Sequence, residues 1–405
     1  MSAAHTPDSA EAPLGKPYPP YRRWVQVLAM SLVVIAFVLV ALGGHVTSHD
    51  AGMAVPEAFF TGKYWSLIAP LEVWWYDFGR RLEHSHRLMG YLVGSLTIAL
   101  VVVLYGTQGR RKWLKLWGLG LLVFVIVQGI MGILRVRLHH ESWVAGHTFA
   151  AIHGVTGQIF LGCTVLAAAA LGRVWMVRPL TAGETKQRHA RKFRVLPVVL
   201  LLALVVQLSL GSAVRHSKSA LAIPDWPMHY GQVVPPMSQP EIDAAVAGVP
   251  AQDRAERFAP MTRDAAGNLV PGGYQAWQVH LHFTHRLGGY LLFGFGILLV
   301  AWLWRSYAGR PRVLVPASCF AALLVTQVGL GVATVLTGEH PTLATGHQAV
   351  GALLIATAVW LTIRLHVLPG PFERPDNVPV AAGDATTEKL GDLTGDRPAS
   401  EPRPA

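Results

Sequence analysis

Eight stretches of mostly apolar residues alternate with polar segments along the chain. A helix needs roughly 20 apolar residues to cross a bilayer core, and lipid offers no hydrogen-bond partner to an open backbone group. The pattern therefore predicts eight transmembrane helices, at approximately 24–44, 83–105, 114–134, 147–171, 194–214, 280–304, 313–336 and 344–366. The predicted fold class is all-α, a polytopic membrane protein.

Composition supports this class, because 52% of the residues are hydrophobic and only 14% are charged, against about 25% charged in soluble domains. The net charge of +11 is assigned to basic loops, not to nucleic-acid binding. Lys and Arg cluster in the connections between spans 2 and 3, 4 and 5, and 6 and 7. Positive loops stay in the cytoplasm, so both termini are expected there, with loops 45–80 and 215–279 outside.

The predicted domains follow from these spans. Residues 1–22 and 369–405 are rich in Pro, Ala, Gly and charge, and both are expected to be disordered cytoplasmic tails. No cleaved targeting peptide is expected at the N-terminus. Residues 23–172 and 194–368 are predicted to form two helical domains, the second including the long outer loop 215–279, and residues 173–193 a basic cytoplasmic linker. Cys163 and Cys319 lie in apolar runs and are interpreted as packing residues.

The two halves repeat each other. Residues 82–91 recur as 281–290, sharing the pattern His-Arg-Leu-x-Gly-Tyr. Gln128 and Gly132 recur as Gln327 and Gly331 at the same offset. Each half has four spans, an even number, so both halves share one orientation. The sequence thus predicts two tandem four-helix bundles related by a pseudo-two-fold axis along the membrane normal, a parallel repeat.

Histidines occupy equivalent positions in both halves, near the starts of the second and fourth spans of each. They are His86 and His153 in the first half, and His285 and His347 in the second. Ionisable residues inside a membrane are functional candidates, and two facing imidazoles in a four-helix bundle are typical of a bis-histidine haem site. A zinc or copper site is one alternative, although these metals usually recruit further Cys, Asp or Glu ligands. The other alternative is that each histidine only makes a hydrogen bond to a neighbouring backbone carbonyl.

Span 4 offers a second histidine, His147, which competes with His153 for the ligand role. Its equivalent in the second half is Pro341, so His153 is favoured.

The differences between the halves are informative. Glu83 lies three residues before His86, on the same helical face, and its equivalent is His282. An acid beside one pocket only suggests that one half performs chemistry while the other carries electrons. The alternative is that Glu83 caps the first turn of span 2. Arg87 and Arg286 are candidate partners of haem propionates, with snorkelling to head groups as the alternative.

The Gln-x-x-x-Gly pairs are interpreted as sites of close helix packing.

These features together resemble the haem A synthase family. The resemblance covers roughly residues 24–366 and is carried by Glu83-x-x-His86-Arg87, the histidines of spans 4 and 8, the loops 52–57 and 221–227, and the duplicated bundle. It implies oxidation of the C8 methyl of haem O to a formyl group, giving haem A for terminal oxidases, with water as the oxygen source.

The resemblance also implies residue roles. His285 and His347 would ligate a haem b cofactor, His86 and His153 would flank the substrate haem O, and Glu83 matches the family's catalytic glutamate. It implies a bacterial inner-membrane location, an electron acceptor not readable from the sequence, and haem O synthase or oxidase assembly factors as candidate partners. The chain departs from some members in having no cysteine pair in an outer loop.

Two other functions compete with this interpretation. A di-haem b electron-transfer cytochrome would use the same histidines, but it has no need for an acid at one pocket only. A transporter would share the parallel repeat, but paired helix interruptions at the midplane are lacking. A haem O synthase is disfavoured, because the spans carry no aspartate-rich motif for a prenyl diphosphate.

Overall fold

The computed structural model describes residues 20–55, 71–109, 111–173, 190–247, 261–263, 269–271 and 273–367. Most of the two predicted tails, most of the linker 173–193 and part of the loop 215–279 lie outside the described residues. The helices are α1 (Arg23–Ser48), α2 (Leu71–Tyr76), α3 (Phe78–Thr107), α4 (Lys112–Glu141), α5 (Trp143–Ala170), α6 (Ala190–His216), α7 (Gln239–Ala247), α8 (Ala276–Ser306), α9 (Pro311–Leu336) and α10 (Pro341–Val367).

Eight of these described helices are long and apolar enough to cross a membrane, which confirms the predicted number and order of the spans. They are α1, α3, α4 and α5 in the first half and α6, α8, α9 and α10 in the second. The chain is therefore a multi-pass membrane protein.

The helices are longer than the apolar windows. The second span begins at Phe78, five residues before the predicted start, and α4 runs on to Glu141, seven residues past the predicted end. The polar residues at these ends remain helical, because a helix satisfies the hydrogen bonds of its backbone internally. As a result, His86, His153 and His285, which are expected near the starts of their spans, lie between two and three turns into their helices.

Side-chain caps set where two spans begin. The Asp77 carboxylate accepts a hydrogen bond from the Arg80 backbone N–H (2.9 Å) and caps α3. The Ser142 hydroxyl accepts from Ala145 N–H and caps α5. The capping alternative for Glu83 is therefore wrong, because Asp77 takes that role and Glu83 lies in the second turn.

The long loop after α6 contains regular structure that its polar sequence did not predict. It holds the helix α7 and two short strands, β1 (Met261–Arg263) and β2 (Leu269–Pro271), which pair antiparallel with Met261 opposite Pro271. This small hairpin departs from the all-α expectation without affecting the spans.

Each half packs as a closed circuit of four spans. In the first half α1 contacts α3, α3 contacts α4, α4 contacts α5, and α5 returns to α1. The second half repeats the circuit with α6, α8, α9 and α10. The halves meet where α1 and α5 contact α10, and where α5 contacts α6.

Apolar packing is concentrated at one end of each half. In the first half the buried cluster includes Leu100 and Leu161, and in the second Leu303 and Leu354. These residues lie toward the ends of α3, α5, α8 and α10 that follow the histidines, not the ends that precede them. Among the described residues, the histidine ends hold only smaller apolar clusters.

Candidate functional site

The four candidate ligand histidines form one pair in each half. His86 on α3 and His153 on α5 are close enough to interact electrostatically, and so are His285 on α8 and His347 on α10. All four rings are deeply surrounded by protein, yet each keeps an intermediate accessible surface. Each ring therefore keeps surface that a bound group could cover. The structure thus brings together the pairs that the repeat predicted.

A glycine of the preceding span lies under each ring. The distance from the ring Cε1 to the position that a Cβ would take is 2.9 Å for His86 over Gly43, His285 over Gly211 and His347 over Gly331. Carbon atoms pack at roughly 3.5–4.0 Å, so any larger residue would collide with the imidazole. Gly132 under His153 is looser, at 3.8 Å. These glycines pack against the histidines themselves, a more specific role than the predicted helix–helix contact.

Glutamine side chains hold the second-half rings. The His347 Nδ1 lies 3.0 Å from the Gln327 carbonyl oxygen, and the His285 Nδ1 lies 3.0 Å from the Gln207 side-chain amide. Metal-ligating histidines usually donate their other ring N–H to a carbonyl oxygen, as the Gln327 carbonyl allows for His347. The Gln207 amide nitrogen is itself a donor, so the His285 Nδ1 accepts from it, and this amide would have to turn over before His285 bound a metal through Nε2. The Gln327 amide nitrogen also lies 3.3 Å from the His347 Nε2. This amide would have to rotate away before Nε2 bound a metal.

The first-half rings are held less tightly. The Nδ1 atoms of His86 and His153 are buried and make no hydrogen bond. They face the backbone carbonyls of Leu39 and Gln128, each four residues before the glycine under the ring, without the geometry of a hydrogen bond. Buried polar atoms normally have a partner, so this pair is the one whose final position depends most on a ligand.

The residues fit a haem between the rings of each half. Among the described residues the two large apolar clusters lie away from the histidine ends, and the rings keep surface that a bound group could cover. Gly90, one turn after His86 on the same face, has no heavy atom within 4 Å of its Cβ position. Neutral imidazoles on facing helices are suitable axial ligands for haem iron.

Glu83 is tied to the loop that follows α1. Its side chain is almost fully buried, with 5% of the residue exposed. One carboxylate oxygen accepts from the Val55 N–H (2.8 Å) and the other from the Arg87 Nη2 (2.8 Å), and the same Nη2 donates to the Val55 carbonyl (2.6 Å). Because Arg87 makes these bonds inside the protein, its guanidinium does not extend to the head groups.

In the second half, an uncharged histidine takes the place of Glu83 between the outer loop and the arginine. His282 replaces Glu83, with its Nδ1 3.3 Å from the Ile223 N–H and its Nε2 3.1 Å from the Arg286 Nε. A neutral imidazole has a single acceptor nitrogen, so His282 accepts only one of these two hydrogen bonds. Arg286 also donates to the Ile223 carbonyl (2.6 Å). The position thus joins loop and arginine in both halves, and a negative charge is present only in the first.

Hydrogen bonds to the Asp225 carboxylate stabilise the outer loop that follows α6. Its carboxylate accepts from the backbone N–H groups of Tyr230 (2.7 Å) and Gly231 (2.8 Å). The Tyr230 hydroxyl donates to the Ala222 carbonyl. Burial, together with the nearby Asp225, raises the pKa of Tyr230 to about 12. Tyr230 therefore remains a hydrogen-bond donor at every physiological pH.

The second histidine of span 4 does not join the first-half pair. His147 packs edge-on against His216 of α6, with ring centroids 6.4 Å apart. His153, in contrast, is the α5 histidine that interacts with His86. The geometry therefore favours His153 for the ligand role, as the repeat predicted.

Two arginines near the pockets were not identified from the sequence. Arg135 lies one residue past the predicted end of span 3, but the structure places it within α4, with Glu83 and Arg87 as charged neighbours. Arg215 lies one residue past the predicted end of span 5, but it belongs to the last turn of α6. The signal that could have found Arg135 is its repeat equivalent, the uncharged Thr334.

Arg215 joins the two halves beside both pockets. Its guanidinium donates to the Gly44 carbonyl (2.8 Å) and the Ser48 hydroxyl (2.5 Å) of α1, and to the Gln348 amide oxygen (2.7 Å) of α10. Gly44 follows the glycine under His86, and Gln348 follows His347. One buried side chain therefore connects the walls of the two sites.

Comparison with known proteins places the chain among related sequences. The sequence model of the COX15-CtaA family, described as cytochrome oxidase assembly protein, matches residues 77–359, a range that includes all four histidines and Glu83. The protein named "Heme A synthase" of Beijerinckia indica subsp. indica is 26% identical over 354 residues, covering 81% of this chain and 89% of that protein. That of Bradyrhizobium diazoefficiens is 26% identical over 406 residues, covering 91% and 98%. That of Cereibacter sphaeroides is 25% identical over 371 residues, covering 82% and 85%.

Proposed function

The chain belongs to the COX15-CtaA family of cytochrome oxidase assembly proteins, and we propose from this premise that it is a haem A synthase, an oxidoreductase that converts haem O to haem A. The relatives that bear this name span nearly the whole chain. The observation that carries the proposal is the carboxylate of Glu83, which belongs to only one of the two repeat-related histidine pairs. A di-haem b electron carrier, the alternative, is not favoured, because it gives no reason for this difference.

The two pairs have separate roles in this proposal. His285 and His347 hold haem b as axial ligands, and His86 and His153 flank haem O, the substrate. The glycine under each ring supports this assignment, because it fixes the imidazole where a facing partner can share one iron. Arg87 and Arg286 are the nearby cations for propionates, although both are also bonded to the adjoining loops.

The reaction oxidises the C8 methyl of haem O to a formyl group, with water supplying the oxygen. The balance releases four electrons and four protons, and the electrons leave to an external acceptor. Bound haem supplies the redox chemistry. Glu83 acts as the base that takes a proton at its carboxylate as the methyl is oxidised. Arg87 holds that carboxylate in place through Nη2 (2.8 Å), so the base does not swing away from the pocket.

The proposed location is the bacterial inner membrane, with both termini in the cytoplasm. The basic connections between spans 2 and 3 and between spans 6 and 7 support this orientation. The connection between α4 and α5 is reduced to Ser142, so it adds no basic residue on the other side. The histidine pairs then lie toward the outer face of the membrane, where haem O synthase or oxidase assembly factors are candidate partners.

Haem extraction after co-expression with a source of haem O tests the proposal. Cells with the wild-type chain should yield haem A by chromatography, and cells with Glu83→Ala should yield none while the haem b spectrum survives. Unchanged haem A production by this variant would refute the catalytic role of Glu83.

A second variant separates the charge from the structural role of the position. Glu83→His copies the second half, where His282 lies between the loop N–H and the arginine and accepts from one of them. It should keep the loop in place, retain haem b and still make no haem A. Haem A formation by Glu83→His would show that a hydrogen-bond acceptor is sufficient and that no carboxylate base is needed.

A further inference from the structure

Arg135 is a half-buried cation that has no partner among the described residues. It lies well inside α4, deep in the first half, with charged or ionisable neighbours Glu83, Arg87, His86 and His153. Its guanidinium makes no hydrogen bond or ion pair to any residue in the described part of the chain. An arginine inside a membrane protein is costly unless it has an anionic or polar partner. Its position points to a ligand.

A glycine makes room for this arginine. The Cβ position of Gly52, in the loop after α1, lies 1.8 Å from the Arg135 Nη2, so the guanidinium lies directly over that backbone. In the second half both residues differ, because Ala220 replaces Gly52 and Thr334 replaces Arg135. Thr334 bonds within its own helix, to the Leu330 carbonyl (2.7 Å). The space and the charge are thus present together in the first half and absent together from the second.

The charges explain why the first half needs a second arginine. Glu83 pairs with Arg87, so this pair contributes little net charge to its surroundings. In the second half His282 is bonded to Arg286 without cancelling its charge. Glu83 neutralises the charge of Arg87 at the first pocket. Arg135 therefore supplies the positive charge that Arg286 supplies at the second.

We propose that Arg135 binds a carboxylate of the ligand held between His86 and His153. The inference rests on the proposed function for the ligand's identity, which is then haem O, and the carboxylate is one of its propionates. Haem O carries its two propionates side by side, and the C8 methyl shares a pyrrole ring with one of them. Because Arg135 is a charged neighbour of Glu83, anchoring the propionate edge there brings a flanking methyl to the carboxylate. Arg135 is thus a positioning residue that selects which edge of the porphyrin Glu83 meets.

Binding of a porphyrin with and without carboxylates tests this assignment. The full-length chain in lipid nanodiscs is titrated with haemin and with haemin dimethyl ester, in which both propionates are esterified. The absorbance change that disappears in His86→Ala reports the first-half site. The wild type should bind haemin more tightly than the ester. Arg135→Thr, which copies Thr334, should reduce that preference by about ten- to a hundredfold, the range for a hydrogen bond to a charged group.

Two further variants control for charge and for folding. Arg137→Thr makes the same chemical change two residues away at an exposed position, and should leave the preference intact. Gly52→Ala places a methyl where the Arg135 Nη2 lies and displaces the guanidinium without altering the charge. The loop backbone should accept this change, since Ala220 occupies the equivalent position. Gly52→Ala should therefore reduce the same preference, which answers the question even if Arg135→Thr fails to accumulate.

The outcomes are distinct. Equal weakening of haemin and ester by Arg135→Thr would mean a structural role, and an unchanged preference in Arg135→Thr or Gly52→Ala would exclude the carboxylate contact. Either result overturns the inference. Failure of the proposed function appears separately, as wild-type cells that make no haem A although the purified chain still prefers haemin to its ester.

Discussion

Replacing Gly331 by alanine should displace a candidate iron ligand while leaving the helix intact. The new Cβ would lie 2.9 Å from the His347 Cε1, whereas ordinary contact begins at 3.4 Å, so the ring has to move by about 0.5 Å. Overpacking of this kind costs about 1–3 kcal/mol, which corresponds to roughly 5- to 150-fold weaker haem binding. Alanine favours a helix over glycine by about 1 kcal/mol, so a loss cannot be attributed to helix propensity.

The assay is the haem content per chain after purification, measured as the pyridine haemochrome. Gly329→Ala is the matched control, because it lies on the same helix and its Cβ position has no heavy atom within 4 Å. Gly132→Ala provides a second control, since its Cβ would contact the His153 ring at an acceptable 3.8 Å. Only Gly331→Ala should lose haem. Full haem content in Gly331→Ala, or equal losses in all three variants, would refute the argument that the glycine positions the ring.

Two further predictions concern the junction of the halves. Arg215→Met leaves three acceptors on α1 and α10 without their donor and should lower the free energy of unfolding by about 1–3 kcal/mol, seen as a lower thermal midpoint in detergent. Lys218→Met breaks only an exposed ion pair with Asp50 and should change the midpoint little. Burial raises the pKa of Glu339 above its ordinary 4.5, so the folded state holds this proton more tightly than the unfolded chain and is destabilised as pH rises above about 4.5. The midpoint of Glu339→Gln should therefore exceed that of the wild type by more at pH 7 than at pH 4, and a constant difference would contradict this.

The sequence predicted the spans well because each one contains an uninterrupted apolar window. It predicted their ends less well, because a segment that contains charged residues such as Arg80 and Arg81 continues α3 beyond the apolar window. The paired histidines were also predictable, since a repeat places equivalent residues in equivalent bundles. The apolar windows predict the spans directly, and the internal duplication predicts the pairing of the histidines.

Contacts made only after packing were not predictable. The hydrogen bond between Glu83 and the Val55 N–H joins residues that are 28 positions apart in the chain, so no pattern in the local sequence predicts it. Arg135 and Arg215 were assigned to loops because charge was counted as a span boundary, although the helices continue past both. The hairpin of β1 and β2 lies in a polar loop whose composition resembles that of irregular structure.

The absorption spectrum of the purified full-length chain, from cells supplied with iron and porphyrin, tests the central claim most directly. The wild type should show low-spin haem with two histidine ligands. Combined replacement of His285 and His347 by alanine should remove the haem b contribution. A colourless wild-type protein, or a spectrum unchanged by that double replacement, would contradict the account.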